Sequence, residues 1–273
     1  MCKPATMKKI IVFILPVFLL VSACKEMVEI ELKDANPVLV VEGEISTEID
    51  SSYVKLSMST NYYTAGIAPV VKTALVNVNG IPFLFDPSLQ LYKPSAGFAG
   101  KTDSVYQLNI NYNAKSYSAQ TTLYPMFRVD SFFQTWKEAE GFLRAGYALS
   151  YSAFDSRPTP RYTYFSQGYF DTIAKKDSVP GNTIVFDNVQ TPANKQYSFE
   201  IPFARFLSGD IYFATFRSID TQMKDFLAAY SSQNPNIPGP FQVPPANLPT
   251  NISGGAVGYF VGYDVKRFRY TIK

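Results

Sequence analysis

The chain is 273 residues long, with 25 Lys and Arg against 22 Asp and Glu and no histidine. The absence of histidine removes Ser-His-Asp and Cys-His catalysis and the commonest zinc ligand. Lys3, Lys8 and Lys9 precede every acidic residue and account for the whole net charge of +3, so the remainder is electrically balanced and lacks the basic face that nucleic acid requires.

The same three lysines open a secretory layout. They are followed by the apolar run Ile10–Val21, which is shorter than the roughly 20 apolar residues a spanning helix needs and is weakened by Pro16. Ser22, Ala23 and Cys24 close it. "VSAC" resembles a bacterial lipobox, which implies cleavage between Ala23 and Cys24 and a covalent lipid on the Cys24 sulfur; buried acyl chains contribute about 0.8 kcal/mol per methylene to membrane attachment. Residues 1–23 are then the signal peptide and 24–36 a lipidated tether. Cys2 leaves with the signal, so no disulfide is expected within the mature chain. The residue two places after Cys24 is Glu26 rather than Asp, which favours the outer membrane, and "CKE" resembles a surface-export tag, so the protein is expected to face outward.

Residues 37–125 alternate apolar and polar with a period of two. "NPVLVVEGEI" (36–45) and "YVKLSMS" are strands, the latter with Val54, Leu56 and Met58 on one face. Asn79-Gly80 between apolar runs predicts a two-residue hairpin, because both central residues of a type I′ turn take positive φ. In "VYQLNINY", Tyr106, Leu108, Ile110 and Tyr112 share a side, and "NAKS" turns the chain back. The spacing suits an immunoglobulin- or transthyretin-like β-sandwich ending near Pro125.

Residues 126–273 read as a second antiparallel β domain, richer in aromatics. Tyr147, Leu149 and Tyr151 share a face, and further strands follow in "RYTYFSQGYF", "NTIVFDNV", "QYSFEIPF" and "DIYFATFRSI". One segment, near 219–232, changes period: Met223, Phe226, Leu227 and Tyr230 fall at helical spacing behind Asp220 as N-cap, predicting an amphipathic helix laid on a sheet. The Pro-rich stretch 234–249 is an extended loop, and the glycine-rich "SGGAVGYF" leads into a closing strand. The fold class is therefore mainly β, a sandwich followed by a second β domain with one helix.

No metal site, cofactor or catalytic constellation is expected beyond the lipid at Cys24. No phosphate loop with a helix behind it is present. Glu42 and Glu44 bracket Gly43 on one face of a strand, about 7 Å apart, within reach of a glycosidase pair; the first reading of such acids is a solvated strand edge. Tyrosine is plentiful, and Tyr62, Tyr63, Tyr162, Tyr164 and Tyr169 could stack on a ligand or partner, with Phe241 in the Pro-rich loop as a further contact, although most aromatics are expected to fill the cores.

The order of these pieces is itself informative. A lipobox, "PVLVVEGEI", the "YQLNI" strand pair, the strand leading into "SID" and its helix, and the terminal "PTNISGGAVGYF" together resemble the Bacteroidota outer-membrane lipoprotein family known as domain of unknown function 4249. In this chain the tyrosine strand reads "PRYTYFSQ", with Arg161 ahead of Tyr162 and Tyr164. The resemblance implies a non-enzymatic lipoprotein that works as accessory or ligand-binding partner of a TonB-dependent transporter. A carboxylate-dependent glycan-acting enzyme and a structural or adhesive surface lipoprotein are the alternatives.

Overall fold

The computed structural model describes residues 36–60, 67–157, 162–178, 184–187, 194–202, 204–232 and 247–273, and Pro37–Lys273 forms one compact unit. The fold is mainly β, in three sheets with one described helix.

The N-terminal half supplies β1 (Leu39–Ser46), β2 (Tyr53–Met58), β3 (Leu75–Val78), β4 (Ile81–Asp86), β5 (Leu91–Lys93), β6 (Ser104–Tyr112) and β7 (Lys115–Leu123). β1 begins at Leu39, three residues after the predicted start. The alternation in sequence is the burial pattern in space: Val54 and Leu56 are buried and Met58 packs against the same core, as do Tyr106, Leu108, Ile110 and Tyr112. Asn79 and Gly80 take φ of 49° and 81°, closing the predicted hairpin between Val78 and Ile81. The Asn79 side chain also ties the turn to β6, accepting from the Gln107 amide at 2.7 Å and donating to the Val105 carbonyl at 2.9 Å. Asn113 and Ala114 form the second positive-φ turn, between β6 and β7.

The sequence boundary near Pro125 falls between β7 and β8 (Arg128–Lys137), but the first sheet also takes a strand from the far end of the chain. β15 (Val257–Tyr263) returns to pair in parallel with β1, giving the eight-stranded order β15-β1-β2-β5-β4-β3-β6-β7. A glycine makes this approach feasible: at Gly258, with φ of 113°, a Cβ would stand 1.9 Å from the Val41 carbonyl oxygen. The two ends of the sheet then nearly meet, since the Gly262 amide donates to Thr121 of β7 at 3.1 Å. β1 is therefore an interior strand, flanked by β15 and β2, and the expectation that Glu42 and Glu44 guard a sheet edge is corrected.

The remaining strands form two sheets. β10 (Tyr162–Asp171), β11 (Lys176–Ser178), β12 (Ile184–Asp187), β14 (Ile211–Ile219) and β16 (Val265–Thr271) make one, ordered β11-β10-β14-β16 with β12 also on β10. β13 (Gln196–Glu200), β9 (Gly146–Phe154) and β8 make the other. Their shared core is aromatic. Phe216 is fully buried, with the rings of Phe165, Tyr151, Phe127 and Phe268 at centroid distances of 4.8, 5.3, 5.4 and 5.8 Å.

Asp264, at the corner between β15 and β16, joins the two halves. Its carboxylate accepts from the Met126 amide at 2.7 Å and the Thr47 hydroxyl at 3.0 Å, and its own amide donates to the Ser218 hydroxyl at 2.9 Å. Buried polar groups must find such partners or forfeit their hydration.

The helix α1 (Thr221–Ser232) starts where predicted, with Asp220 accepting from the Met223 amide at 2.8 Å as N-cap. Its packing departs from the expected continuous face. Met223 is buried and Phe226 and Leu227 are half-buried against Val261, Tyr263 and Ile219, but Tyr230 is 63% exposed.

Candidate functional site

The incomplete packing of α1 opens a cleft of about 950 Å³ between the helix, the outer face of β1 and β15, and the adjoining strands β10 and β14. On β1, Val41 and Ile45 point into the core, so Glu42 and Glu44 face the cleft. The register places Lys55 and Tyr53 of β2 opposite Glu42 and Glu44, and Tyr259 of β15 beside Glu42. On the far wall, Tyr164 of β10 lies opposite Arg217 of β14. Phe226, Leu227 and Tyr230 of α1 and Tyr259 and Tyr263 of β15 supply much of the apolar lining, with the Phe226 and Tyr259 rings 5.1 Å apart.

The charges on these walls are not equivalent. Glu42 is paired with Lys55 at 2.9 Å. Glu44 is hydrogen-bonded to Tyr53. Loss of solvent around Glu44 pushes its pKa up; the Tyr53 hydrogen bond and the Arg217 charge oppose that rise, and Glu42 adds to it. Burial also raises the Tyr53, Tyr259 and Tyr263 hydroxyls, with the charge of Glu44 contributing, so all three are protonated donors at neutral pH. Arg217 stands with its guanidinium carbon 5.7 Å from the Tyr164 ring centroid and 5.9 Å from that of Tyr263, an arrangement held by cation–π attraction.

The structure brings together only part of what the sequence singled out. Tyr164, Glu42 and Glu44 meet in the cleft. Tyr162 instead packs in the cluster under α1, where Lys224 Nζ sits 5.3 Å from its ring centroid, and Tyr169 belongs to the aromatic core, edge-on to Phe206 at 5.5 Å. Ala23, Cys24, Tyr62, Tyr63, Arg161 and Phe241, with residues 234–246 of the Pro-rich loop, lie outside the described residues. Sequence reasoning missed Arg217, Tyr53, Tyr259 and Tyr263. Arg217 carries a faint signal as the single cation within the apolar strand "IYFATFRSI". No group of acidic, cysteine or histidine side chains suited to a metal ion occurs among the described residues.

Fold and cleft together define a mainly β protein whose site is assembled where a C-terminal strand and helix close onto an N-terminal sheet. The chain belongs to the family described as Domain of unknown function (DUF4249), which matches residues 25–269. No curated protein matches it.

Proposed function

We propose that the protein is a non-enzymatic, outward-facing outer-membrane lipoprotein that offers the cleft to a ligand as accessory or binding partner of a TonB-dependent transporter. The observation that carries this reading is the cleft itself: a roomy, tyrosine-lined recess with a few converging charged groups, the general character of a small-molecule site. The lipobox supports the address. Residues 24–36 link Cys24 to the compact unit that begins at Pro37. Metabolic labelling with a fatty-acid analogue tests the anchor, with Cys24→Ser expected to lose both label and membrane fractionation. Protease added to intact cells should digest the wild-type protein, and affinity recovery from native membranes should bring a TonB-dependent receptor with it. Recovery without any receptor would overturn the partnership.

One observation favours a second reading. Glu42 and Glu44 share the cleft wall, and Glu44 is held toward its protonated form, as a general acid would be. Screening wild type, Glu42→Gln and Glu44→Gln against a polysaccharide panel separates the two readings: turnover abolished by either substitution makes the protein a glycan-acting enzyme.

A further inference from the structure

Among the described residues Arg217 has no carboxylate within ion-pairing distance, although Glu44 and Glu48 attract it from farther off. Its carboxylate neighbours are already engaged: Glu42 with Lys55, Glu44 with Tyr53, and Glu48 with the Arg267 guanidinium in a two-point ion pair. Among the described residues Arg217 has cation–π contacts with Tyr164 and Tyr263 but no hydrogen bond and no ion pair. Two aromatic neighbours fix the position of the guanidinium while its N–H donors remain unspent. A guanidinium fixed in advance in a half-buried position lowers the cost of engaging a ligand.

We propose that the cleft binds an organic anion in which a carboxylate is carried on an apolar body, the carboxylate bridged by Arg217 and the body laid against Phe226, Leu227 and Tyr259. This rests on the reading of the cleft as a ligand site and names the chemistry it would take. The planar fork of a guanidinium matches two carboxylate oxygens. A neutral sugar would occupy some of the donors but leave the formal charge uncompensated, and a cation would be repelled. A doubly charged phosphate suits the cleft less well, because Glu42 and Glu44 stand on the opposite wall. The apolar body follows from the helix: Phe226, Leu227 and Tyr230 are helical residues of the apolar face that the sheet leaves open.

The test is calorimetric titration of the full-length lipoprotein in lipid nanodiscs, with empty nanodiscs subtracted, using 2-naphthoate and its neutral counterpart 2-naphthamide. Wild type is expected to bind the acid at least tenfold more tightly than the amide. Arg217→Gln should erase that preference, and Phe226→Ala should weaken both. Glu44→Gln, which removes a negative charge from the facing wall, should tighten naphthoate binding. Equal affinity for the two probes in wild type, binding of neither, or a preference that survives Arg217→Gln overturns the proposal. Because the acid-over-amide ratio is measured on wild type, it stands even if a variant fails to fold. It is also independent of receptor recovery, so failure here and failure of the proposed transporter partnership are separately visible.

Discussion

Replacing Asp264 with alanine removes one carboxylate and disconnects three segments at once. Asp264 is only 4% exposed. Its two oxygens serve the Met126 amide, in the link between β7 and β8, and the Thr47 hydroxyl, in the turn after β1; half-exposed Lys266 adds a contact at 3.4 Å. Hydrogen bonds to a charged group contribute about 1.5–3 kcal/mol each, and truncation leaves the Met126 N–H buried without an acceptor. The expected loss is about 3–5 kcal/mol, a large part of the roughly 5–15 kcal/mol that stabilises a domain. Asparagine should cost less. Its carbonyl can still accept from Met126, and its amide can donate to Thr47, whose hydroxyl oxygen already accepts from the Val265 amide at 3.1 Å and has a second lone pair. Asp264→Asn is therefore expected to lose about 1–2 kcal/mol, chiefly the charge assistance. Equilibrium urea unfolding followed by circular dichroism measures both, with the denaturant slope as a check that the unfolded reference is unchanged. An alanine variant within about 0.5 kcal/mol of wild type, or an asparagine variant as unstable as alanine, would refute the view that this carboxylate binds the halves together.

Gly258→Ala should cost about 3 kcal/mol or more, because it adds positive-φ strain to a collision with the Val41 carbonyl; normal stability by the same unfolding assay would mean that β15 does not pair with β1 as described. Phe216→Ala, deleting the ring at the centre of the aromatic core, is expected to lose about 3–5 kcal/mol in thermal or chemical unfolding. Glu44→Gln carries a pH signature. Burial raises the folded-state pKa of Glu44 above its ordinary 4.5 against the opposing influence of Tyr53 and Arg217, so folding takes up a proton between those two values and wild type loses stability as pH rises through that window. The variant cannot titrate. Its stability relative to wild type should thus climb across that window and stay level below pH 4.5, and a flat or falling difference would contradict the assigned burial.

How far the sequence reaches into this structure depends on whether a feature is made by neighbours in the chain. Period-two burial in β6, the positive-φ turn at Asn79-Gly80 and the Asp220 cap are local, and all three are legible before any coordinates. The cleft is not local. Its walls come from strands beginning at Leu39, Tyr162, Ile211 and Val257 and a helix beginning at Thr221, and alternation says which face a residue takes without saying which faces meet. Glu42 and Glu44 read as edge guards because nothing in their strand announces that a glycine more than two hundred residues later lets β15 lie against it. The helix shows the same limit more sharply. Met223, Phe226, Leu227 and Tyr230 have the spacing of a fully packed face, yet Met223 is buried, Phe226 and Leu227 are half-buried beside Tyr259 and Tyr263, and Tyr230 is exposed at the cleft. An apolar stripe of one helix thus serves as core at its start and as cleft wall beyond, a division that depends on which strands meet it and that its own spacing does not contain.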